Sequence, residues 1–261
     1  MAALAFVGQD STTSVNTRRL LEQRALLARV VIIVWRYAVI HYLCYKVTPC
    51  VSARINSAAN HYSSFFLETT MPPIRNAIMP TIGYLLRSRH AGEAASVTSA
   101  PELTTDGKLQ LSSASFPADG VIPRKYSGVG RGENVSPELS WSGAPANTAQ
   151  YLLIMDDPDV PLQHPVIHFA ALFGPDITHF AEGALTADNP ALRCIPGAFG
   201  RLGYHGPRPL RGHGPHRYIF TLYALDQAIP ADQPLPNLEA VLPLVRGHVL
   251  ARGRLVGAQE G

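Results

Sequence analysis

Short apolar runs separated by proline- and glycine-bearing turns extend from Gly107 to the end of the chain, and this pattern constrains the fold more than any other feature. Most of the 22 prolines lie in this part, and proline fits neither a helix interior nor a central strand. Five runs have the length and composition of strands. They are Leu109–Leu111, Leu139–Trp141, Tyr151–Met155, Val166–Phe173 and Arg217–Leu225. The pattern predicts a mainly β domain over residues 107–261.

Helices are predicted on either side of these strands. Ile74–Arg89 has the composition of a short helix, and residues 81–106 are predicted to hold its end and a linker or arm rich in Ala, Ser and Thr. A second helix is predicted over Asn237–Ala251, because its first residue is a good N-cap, although Pro243 lies in its middle. Arg252–Val256 is predicted to form a last short strand.

Residues 1–80 are predicted to form a basic, partly helical extension. Residues 1–90 hold ten Lys and Arg against three Asp and Glu, a net charge of +7, whereas the rest of the chain holds twelve against sixteen, a net charge of −4. Arg18–Tyr45 contains good helix formers and no Gly or Pro. Its most apolar part, Val30–Tyr45, is shorter than the roughly 20 residues of a membrane-spanning helix.

The N-terminal helix has three interpretations, which the sequence leaves open. It packs on the domain or on a partner, it lies at a membrane surface through residues 18–46, or it is part of a mitochondrial presequence rich in Arg and Ser. The mildly acidic body lacks the basic patch that nucleic-acid binding requires, so no nucleic-acid partner is predicted.

The cysteine content bears on the cellular compartment. Cys44, Cys50 and Cys194 are an odd and sparse set with no CxxC pair, which does not make a disulfide framework and favours a reducing compartment. The N-terminus does not resemble a secretory signal. A cytoplasmic location is therefore predicted, with membrane-associated and mitochondrial locations as alternatives.

Polar residues follow the predicted strand Tyr151–Met155. Asp156, Asp157 and Asp159 lie in a turn stiffened by prolines, and carboxylates this close together repel one another unless a donor or a cation compensates. The simpler interpretation is an Asx-turn that caps the strand.

A histidine interrupts the apolar strand Val166–Phe173. Alternation along a strand places His168 on one face with the apolar residues Val166, Ala170 and Leu172. A single histidine on such a face is either a functional group or a hydrogen-bonded core histidine.

A glycine- and proline-rich loop leads into the strand at Arg217–Leu225. Alternation gives His216 and Tyr218 the same face as Phe220 and Leu222. Arg217 faces the other way, where its guanidinium is expected to pair with a carboxylate of the Asp157–Asp159 turn.

Together these segments predict one site at the strand ends. Its ligand-binding candidates are two carboxylates, two imidazoles and a phenol, from Asp157, Asp159, His168, His216 and Tyr218. A carboxylate beside a histidine favours the imidazolium, and an imidazolium with a tyrosine hydroxyl suits a phosphate or a carboxylate. The same imidazoles, His168 and His216, are candidates for a general acid and base, so whether the chain is an enzyme stays open.

No metal and no cofactor is predicted. His213 and His216 have a metal-like spacing of three, but no cysteine or clear third ligand accompanies them. The glycine-rich segment at residues 128–132 has the wrong spacing for a dinucleotide loop. No Walker A, HExxH or GxSxG motif occurs in the sequence.

Two motifs in a fixed order resemble a known family. Asp157-Pro158-Asp159-Val160-Pro161 resembles the DPDxP motif, and Gly214-Pro215-His216-Arg217 resembles the GxHR motif, of the phosphatidylethanolamine-binding protein (PEBP) family. The segment from Asn134 to Trp141 resembles a further family segment. The resemblance covers about 180 residues from Ile82 onward and is closest to the bacterial-type, Raf-kinase-inhibitor-like branch.

The resemblance implies a fold and a site. The fold is a sandwich of two antiparallel sheets with peripheral helices, to which this chain adds an N-terminal helical extension. The site is a small pocket for phosphate-like or carboxylate groups, lined by Asp157, His168, His216 and Tyr218, supported by Asp159 and Arg217, and walled by Gly206 and Pro207. Members of the branch are often dimers, so a homodimer is an expectation.

Three functions follow from the resemblance and the site together. The first is a binding module for a small anionic molecule or a lipid headgroup. The second is an accessory protein or enzyme of specialised (polyketide) metabolism that assists cyclisation or dimerisation of anhydride- or carboxylate-bearing intermediates. The third is a membrane-tethered adaptor or a kinase or protease regulator. Binding without turnover is the first expectation.

Overall fold

Two β-sheets, one of six strands and one of three, form the body of the computed structural model, which describes residues 72–261. The strands in chain order are β1 (Gln110–Ser112), β2 (Gly120–Val121), β3 (Leu139–Ser142), β4 (Gln150–Asp157), β5 (Val166–Phe173), β6 (His179–Phe180), β7 (Arg193–Cys194), β8 (Pro215–Leu225) and β9 (Val249–Glu260). The large sheet has the order β2-β9-β8-β4-β5-β7, and the small sheet has the order β1-β3-β6.

The pairings in both sheets are antiparallel, apart from the short parallel pairing of β2 with β9. The mainly β fold with two sheets that the sequence predicts is thereby confirmed. The predicted strands lie where expected, although β9 extends far beyond the predicted Arg252–Val256.

The central strands of the large sheet are buried on both faces. One apolar cluster fills the space between the sheets and includes Leu153 of β4, Ala171 of β5 and Phe220 of β8. A second cluster covers the outer face and includes the neighbouring residues Leu152 and Leu172. Because both faces are dry, these strands have continuous apolar sequences rather than an alternating pattern.

Few helices surround the sheets among the described residues. Helix α1 (Pro72–Leu86) precedes the strands, and α2 (Leu242–Val245) is a single turn near the C-terminus. Short 3₁₀ turns lie at Glu93–Ala95, Val97–Ser99, Pro101–Leu103, Arg124–Tyr126 and Ala198–Gly200. None of the described helices is long and apolar enough to cross a membrane.

The predicted helix over Asn237–Ala251 is wrong. Only the turn α2 is helical, and Gly247 with a φ of 80° then reverses the chain into β9. Asn237 accepts a hydrogen bond from the backbone N–H of Ala240 over 3.0 Å, so it caps a local turn instead of a long helix. The segment from Val249 onward pairs with β8, and this long-range pairing overrides the local helix propensity.

The predictions for residues 1–71 lie outside the described residues. They comprise the helix at Arg18–Tyr45, the membrane contact through residues 18–46 and most of the basic extension. The position of the domain boundary also stays a prediction.

Candidate functional site

The turn after β4 is held by hydrogen bonds of its own carboxylates. The Oδ1 atom of Asp157 accepts from the backbone N–H of Asp159 over 2.9 Å, which is an Asx-turn. The simpler interpretation of this segment is therefore part of the structure. Each of the two aspartates also uses its Oδ2 atom to bind a residue of β8, Asp157 to His216 and Asp159 to Arg217.

Arg217 of β8 binds Asp159 in a bidentate pair. Its Nε donates to Asp159 Oδ2 and its Nη2 to Oδ1, both over 2.8 Å, while its backbone N–H also donates to Oδ2. Its Nη1 donates to Glu93 over 2.7 Å. Burial opposes ionisation of Asp159, but the hydrogen bonds and charge of Arg217 outweigh burial and hold the pKa of Asp159 below its ordinary value. This pair fixes the end of β4 against β8.

Asp157, His216 and His213 form a hydrogen-bonded chain, called here the histidine relay. The Nδ1 atom of His216 lies 2.8 Å from Asp157 Oδ2, and its Nε2 lies 2.9 Å from His213 Nδ1. The Nε2 atom of His213 lies 3.0 Å from two carbonyl oxygens, those of Leu86 and Arg89. The three side chains of the relay are almost fully buried.

The relay has a defined proton content. A carbonyl oxygen only accepts, so His213 Nε2 carries a proton and donates it to the carbonyls of Leu86 and Arg89. The contacts between His213 and His216 and between His216 and Asp157 then each need one further proton. All hydrogen bonds of the relay form together only when its net charge is zero. Either one histidine is an imidazolium beside the ionised Asp157, or both histidines are neutral and Asp157 carries the proton.

Two glycines and helix α1 place His213 in the relay. Gly212 and Gly214 have φ values of 79° and 109°, which turn the loop so that the His213 ring faces back towards His216. A side chain at Gly83 of α1 would meet the carbonyl oxygen of Arg211 at 2.0 Å, so helix and loop are in backbone contact there.

His168 is the extra residue of a β-bulge. Met155 pairs with Phe169 and Asp156 pairs with Ile167, so His168 has no partner on β4. The bulge shifts the alternation, because Phe169 packs in the cluster between the sheets and Ala170 packs in the outer cluster. The prediction that His168 shares the face of Ala170 and Leu172 is therefore wrong. Its ring lies against that of Tyr218, with 5.2 Å between centroids.

The hydrogen bond of His168 defines its tautomer. Its Nδ1 lies 2.6 Å from the carbonyl oxygen of His205, which only accepts, so Nδ1 carries a proton. Burial lowers the pKa of His168, and the nearby Asp157 carboxylate only partly opposes this. His168 is therefore a neutral imidazole at pH 7, and its Nε2 is an acceptor without a partner in the described part of the chain.

The Tyr218 hydroxyl is buried and has no hydrogen-bond partner among residues 72–261. It lies near the Asp157 carboxylate and the backbone of Arg208 but makes a hydrogen bond of good geometry with neither. Burial foremost, and then the charge of Asp157, raise the pKa of Tyr218, so the hydroxyl keeps its proton. It is a donor without an acceptor.

Gly206 and Pro207, the predicted wall, pack against the loop at Tyr126–Gly128. A side chain at Gly206 would meet the carbonyl oxygen of Tyr126 at 2.1 Å, so only glycine fits. Asn134 holds the wall, because its Oδ1 accepts from the backbone N–H of Gly206 over 2.9 Å.

The predicted site residues are thus brought together in a closed cluster. Asp157, His216 and Tyr218 expose 2% or less of their surface, and His168 is the partly exposed member. Both ring nitrogens of His216 are used inside the relay, so the two candidate histidines differ in what they can offer a ligand. Among the described residues, no group of three or more His, Cys, Asp or Glu side chains is placed to hold a metal ion.

Sequence reasoning missed the part that His213 and Asn134 play. In the sequence His213 stands out only for its spacing from His216, and nothing local shows that its other nitrogen reaches α1. Asn134 adopts a φ of 56°, which asparagine tolerates better than most residues, but the sequence does not show that it clamps a distant wall.

Two packed sheets with an Asp–Arg pair and an Asp–His pair at the ends of neighbouring strands define the class of the protein. The chain belongs to the phosphatidylethanolamine-binding protein family, whose model matches residues 112–260. The family predicted from the two motifs is thereby confirmed.

Relatives and solved structures agree with this assignment. A UPF0098 protein of Methanothermobacter thermautotrophicus is 37% identical over 151 residues, which are 57% of this chain and 97% of the relative. A PEBP homologue from Chlamydia trachomatis, 31% identical, superposes with a TM-score of 0.52 over 60% of this chain and 99% of its own. The structure of E. coli YbcL, 24% identical, matches with a TM-score of 0.54 over 59% and 99% and shows the fold alone.

Proposed function

We propose that the chain binds a small anion, a phosphate or carboxylate group, between the Tyr218 hydroxyl and His168 Nε2. The unpartnered hydroxyl is the observation that carries the proposal. A buried donor without an acceptor costs about 1–3 kcal/mol, and an anionic oxygen removes this cost while forming a charge-assisted hydrogen bond. A free phosphate and a lipid headgroup share this chemistry.

His216 supports the ligand site without touching the ligand. Its two nitrogens bind Asp157 and His213, so it positions Asp157 beside Tyr218 and balances the carboxylate charge. Direct contact is left to His168 and Tyr218, whose rings meet edge to face. Asp159, Arg217 and the wall at Gly206 and Pro207 hold the surrounding backbone.

Anion binding at this site is expected to draw a proton onto His168. Burial lowers the pKa of the free imidazole, and an anion beside Nε2 raises it again. The affinity for the anion should therefore rise as the pH falls from the pKa of His168 in the complex to its lower pKa in the free protein. Sulfate is a suitable probe, because its own charge stays constant over this range.

Calorimetric titration of the full chain with inorganic phosphate and sulfate tests the proposal. Tyr218→Phe and His168→Gln should each weaken binding about 10- to 100-fold, because the first removes a hydrogen bond to the anion and the second removes the positive charge that His168 gains on binding. Tyr223→Phe is the matched control, since this buried phenol of the same strand faces the other cluster and donates to the Thr98 carbonyl. Equal affinity in all three variants, or no binding by the wild type, would contradict the proposal.

Acid–base catalysis is the second candidate, and the neutral His168 favours it. An imidazole with a lowered pKa and a free Nε2 can remove a proton from a carbon beside a carbonyl, the first step of a cyclisation or dimerisation. The link to specialised (polyketide) metabolism comes from the family resemblance alone.

A cyclic anhydride bearing an acidic C–H is the probe for this second candidate. Turnover that is lost in His168→Gln, retained in Tyr223→Phe and dependent on an imidazole-like pKa would favour catalysis. Binding of the anhydride without conversion leaves the chain as a binding module.

Three further partners remain proposals. The proposals of a homodimer and of a kinase or protease partner rest on the resemblance to the PEBP family. A membrane contact through residues 18–46 concerns a segment outside the described residues. A cytoplasmic location is likewise a proposal, and its support is the sparse cysteine set of the sequence.

A further inference from the structure

A cavity of about 620 Å³ lies beside the candidate site and is lined by none of its ligand-contacting residues. It is bounded by Pro80 of α1, by Ile122 after β2 and by the C-terminal end of β9. The side chains of Arg124, Arg131 and Arg211 reach its lining, and we call it the arginine groove. Its volume falls within the range of sites for small-molecule ligands, roughly 300–1,000 Å³.

Positive charge dominates the arginine groove. Among the described lining residues, Glu260 is the one acidic side chain against the three arginines. The Nε of Arg124 donates to the backbone carbonyl oxygen of Arg131 over 2.8 Å, which holds the Arg124 guanidinium against the loop that carries Arg131. The Arg131 guanidinium itself makes no hydrogen bond or ion pair within the part of the chain that is described.

Like charges act on Arg131 from several sides. Burial, followed by the positive charges of Arg211, Arg208 and Arg124, lowers the pKa of its guanidinium. An arginine stays charged even so, and an anion beside Arg131 would offset the repulsion on its guanidinium. Planar guanidinium groups match the oxygens of phosphate and of carboxylate, and phosphate oxygens accept from several arginines at once.

We infer that the arginine groove is a second anion-binding site, which takes a phosphate-bearing small molecule. Ser127 lines the groove while its backbone packs on Gly206, so the wall of the candidate site separates the two. Arg131 is the link between them, because its charge also acts on the Tyr218 hydroxyl. The groove does not need the proposed function, since its arginines are present whether or not Tyr218 binds an anion.

Titration of the full chain with inorganic pyrophosphate tests the inference. Arg131→Gln and Arg211→Gln should each weaken pyrophosphate binding about 10- to 100-fold, because each removes charge-assisted hydrogen bonds. Arg246→Gln is the matched control, since Arg246 is an exposed arginine that pairs with Glu102 far along the chain. Binding should keep its dependence on Arg211 when His168 is replaced by Gln.

The outcomes separate this site from the first one. Loss in Arg211→Gln with retention in His168→Gln supports the groove, even if phosphate binding at Tyr218 fails its own test. Loss in His168→Gln with retention in both groove variants places pyrophosphate at the candidate site and overturns the inference. Equal loss in Arg246→Gln, or no binding by the wild type, also overturns it.

Discussion

Replacing Asp157 with Ala is expected to lower the free energy of unfolding by about 3–5 kcal/mol, the usual cost of removing one partner from a buried ion pair. The carboxylate and the His216 ring expose only 2% and 1% of their side chains and lie 2.8 Å apart. Water therefore cannot replace the lost charge.

The size of this effect follows from the proton content of the relay. With the carboxylate gone, the bond between His216 and His213 joins two neutral rings only if His216 carries its proton on Nε2, which leaves its buried Nδ1 as an acceptor without a donor. A proton on both nitrogens of His216 instead leaves an imidazolium without a counter-charge in a dry interior. Either state is unfavourable in the folded protein.

A surface pair in the same chain is the control for this prediction. Asp226 and His248 lie at the same distance of 2.8 Å, but their side chains are 36% and 37% exposed. Asp226→Ala should therefore cost less than about 1 kcal/mol. Urea unfolding of the two variants measures the difference. Equal and small losses in both would show that the relay carries no buried ion pair in solution.

The features that the sequence predicts correctly are local. Apolar runs bounded by proline identify β4, β5 and β8, because a buried strand and its turns are encoded within about ten residues. The pairing of Arg217 with the turn after β4 also follows from local rules, since alternation sends the arginine away from the core.

The features that the sequence does not predict depend on distant contacts. The bulge at His168 arises from a register shift between two strands, and one extra residue reverses the face of every following side chain. The failed helix at Asn237–Ala251 has the same cause, because β8 offers pairing to its last residues. The contact of His213 with the end of α1 joins segments more than 120 residues apart.

Consequently, the identity of the site residues was more predictable than their roles. His216 and His168 look equivalent in the sequence, as two histidines at strand ends. In the structure the first has both nitrogens bound and the second has one free. Roles of this kind depend on hydrogen-bond partners, which no local pattern encodes.

The second large effect concerns the pH dependence of stability and the neighbouring residue Asp156. Its side chain points to the opposite face from Asp157, where Ser96 donates a hydrogen bond to Oδ2 and Oδ1 has no partner among the described residues. Burial raises the pKa of Asp156 from 3.8 to about 6, although the hydrogen bond from Ser96 and the charge of Arg254 oppose the shift.

This raised pKa sets the sign of the effect. The folded state holds the proton more tightly than the unfolded state, so the stabilisation is fully present below pH 3.8 and is lost as the pH rises through about 6. A difference of this size corresponds to about 3 kcal/mol in full, most of which is lost between roughly pH 4 and pH 7.5. The side-chain amide of an Asp156→Asn variant does not titrate, so the variant lacks this contribution at every pH.

We therefore expect the stability difference between Asp156→Asn and the wild type to change with pH. Chemical unfolding from about pH 4.5 to 8 should show the variant gaining about 2 kcal/mol relative to the wild type as the pH rises. Asp176→Asn, at an exposed turn, should run parallel to the wild type over the same range. Asp159 is present in the wild type and in both variants, so its contribution cancels when their stabilities are subtracted. That contribution has the opposite sign, because the lowered pKa of Asp159 stabilises the fold at pH values above the pKa of an unfolded aspartate. Parallel curves for Asp156→Asn would mean that this carboxylate stays ionised in the folded protein, and the closed outer face of β4 would then have to admit water.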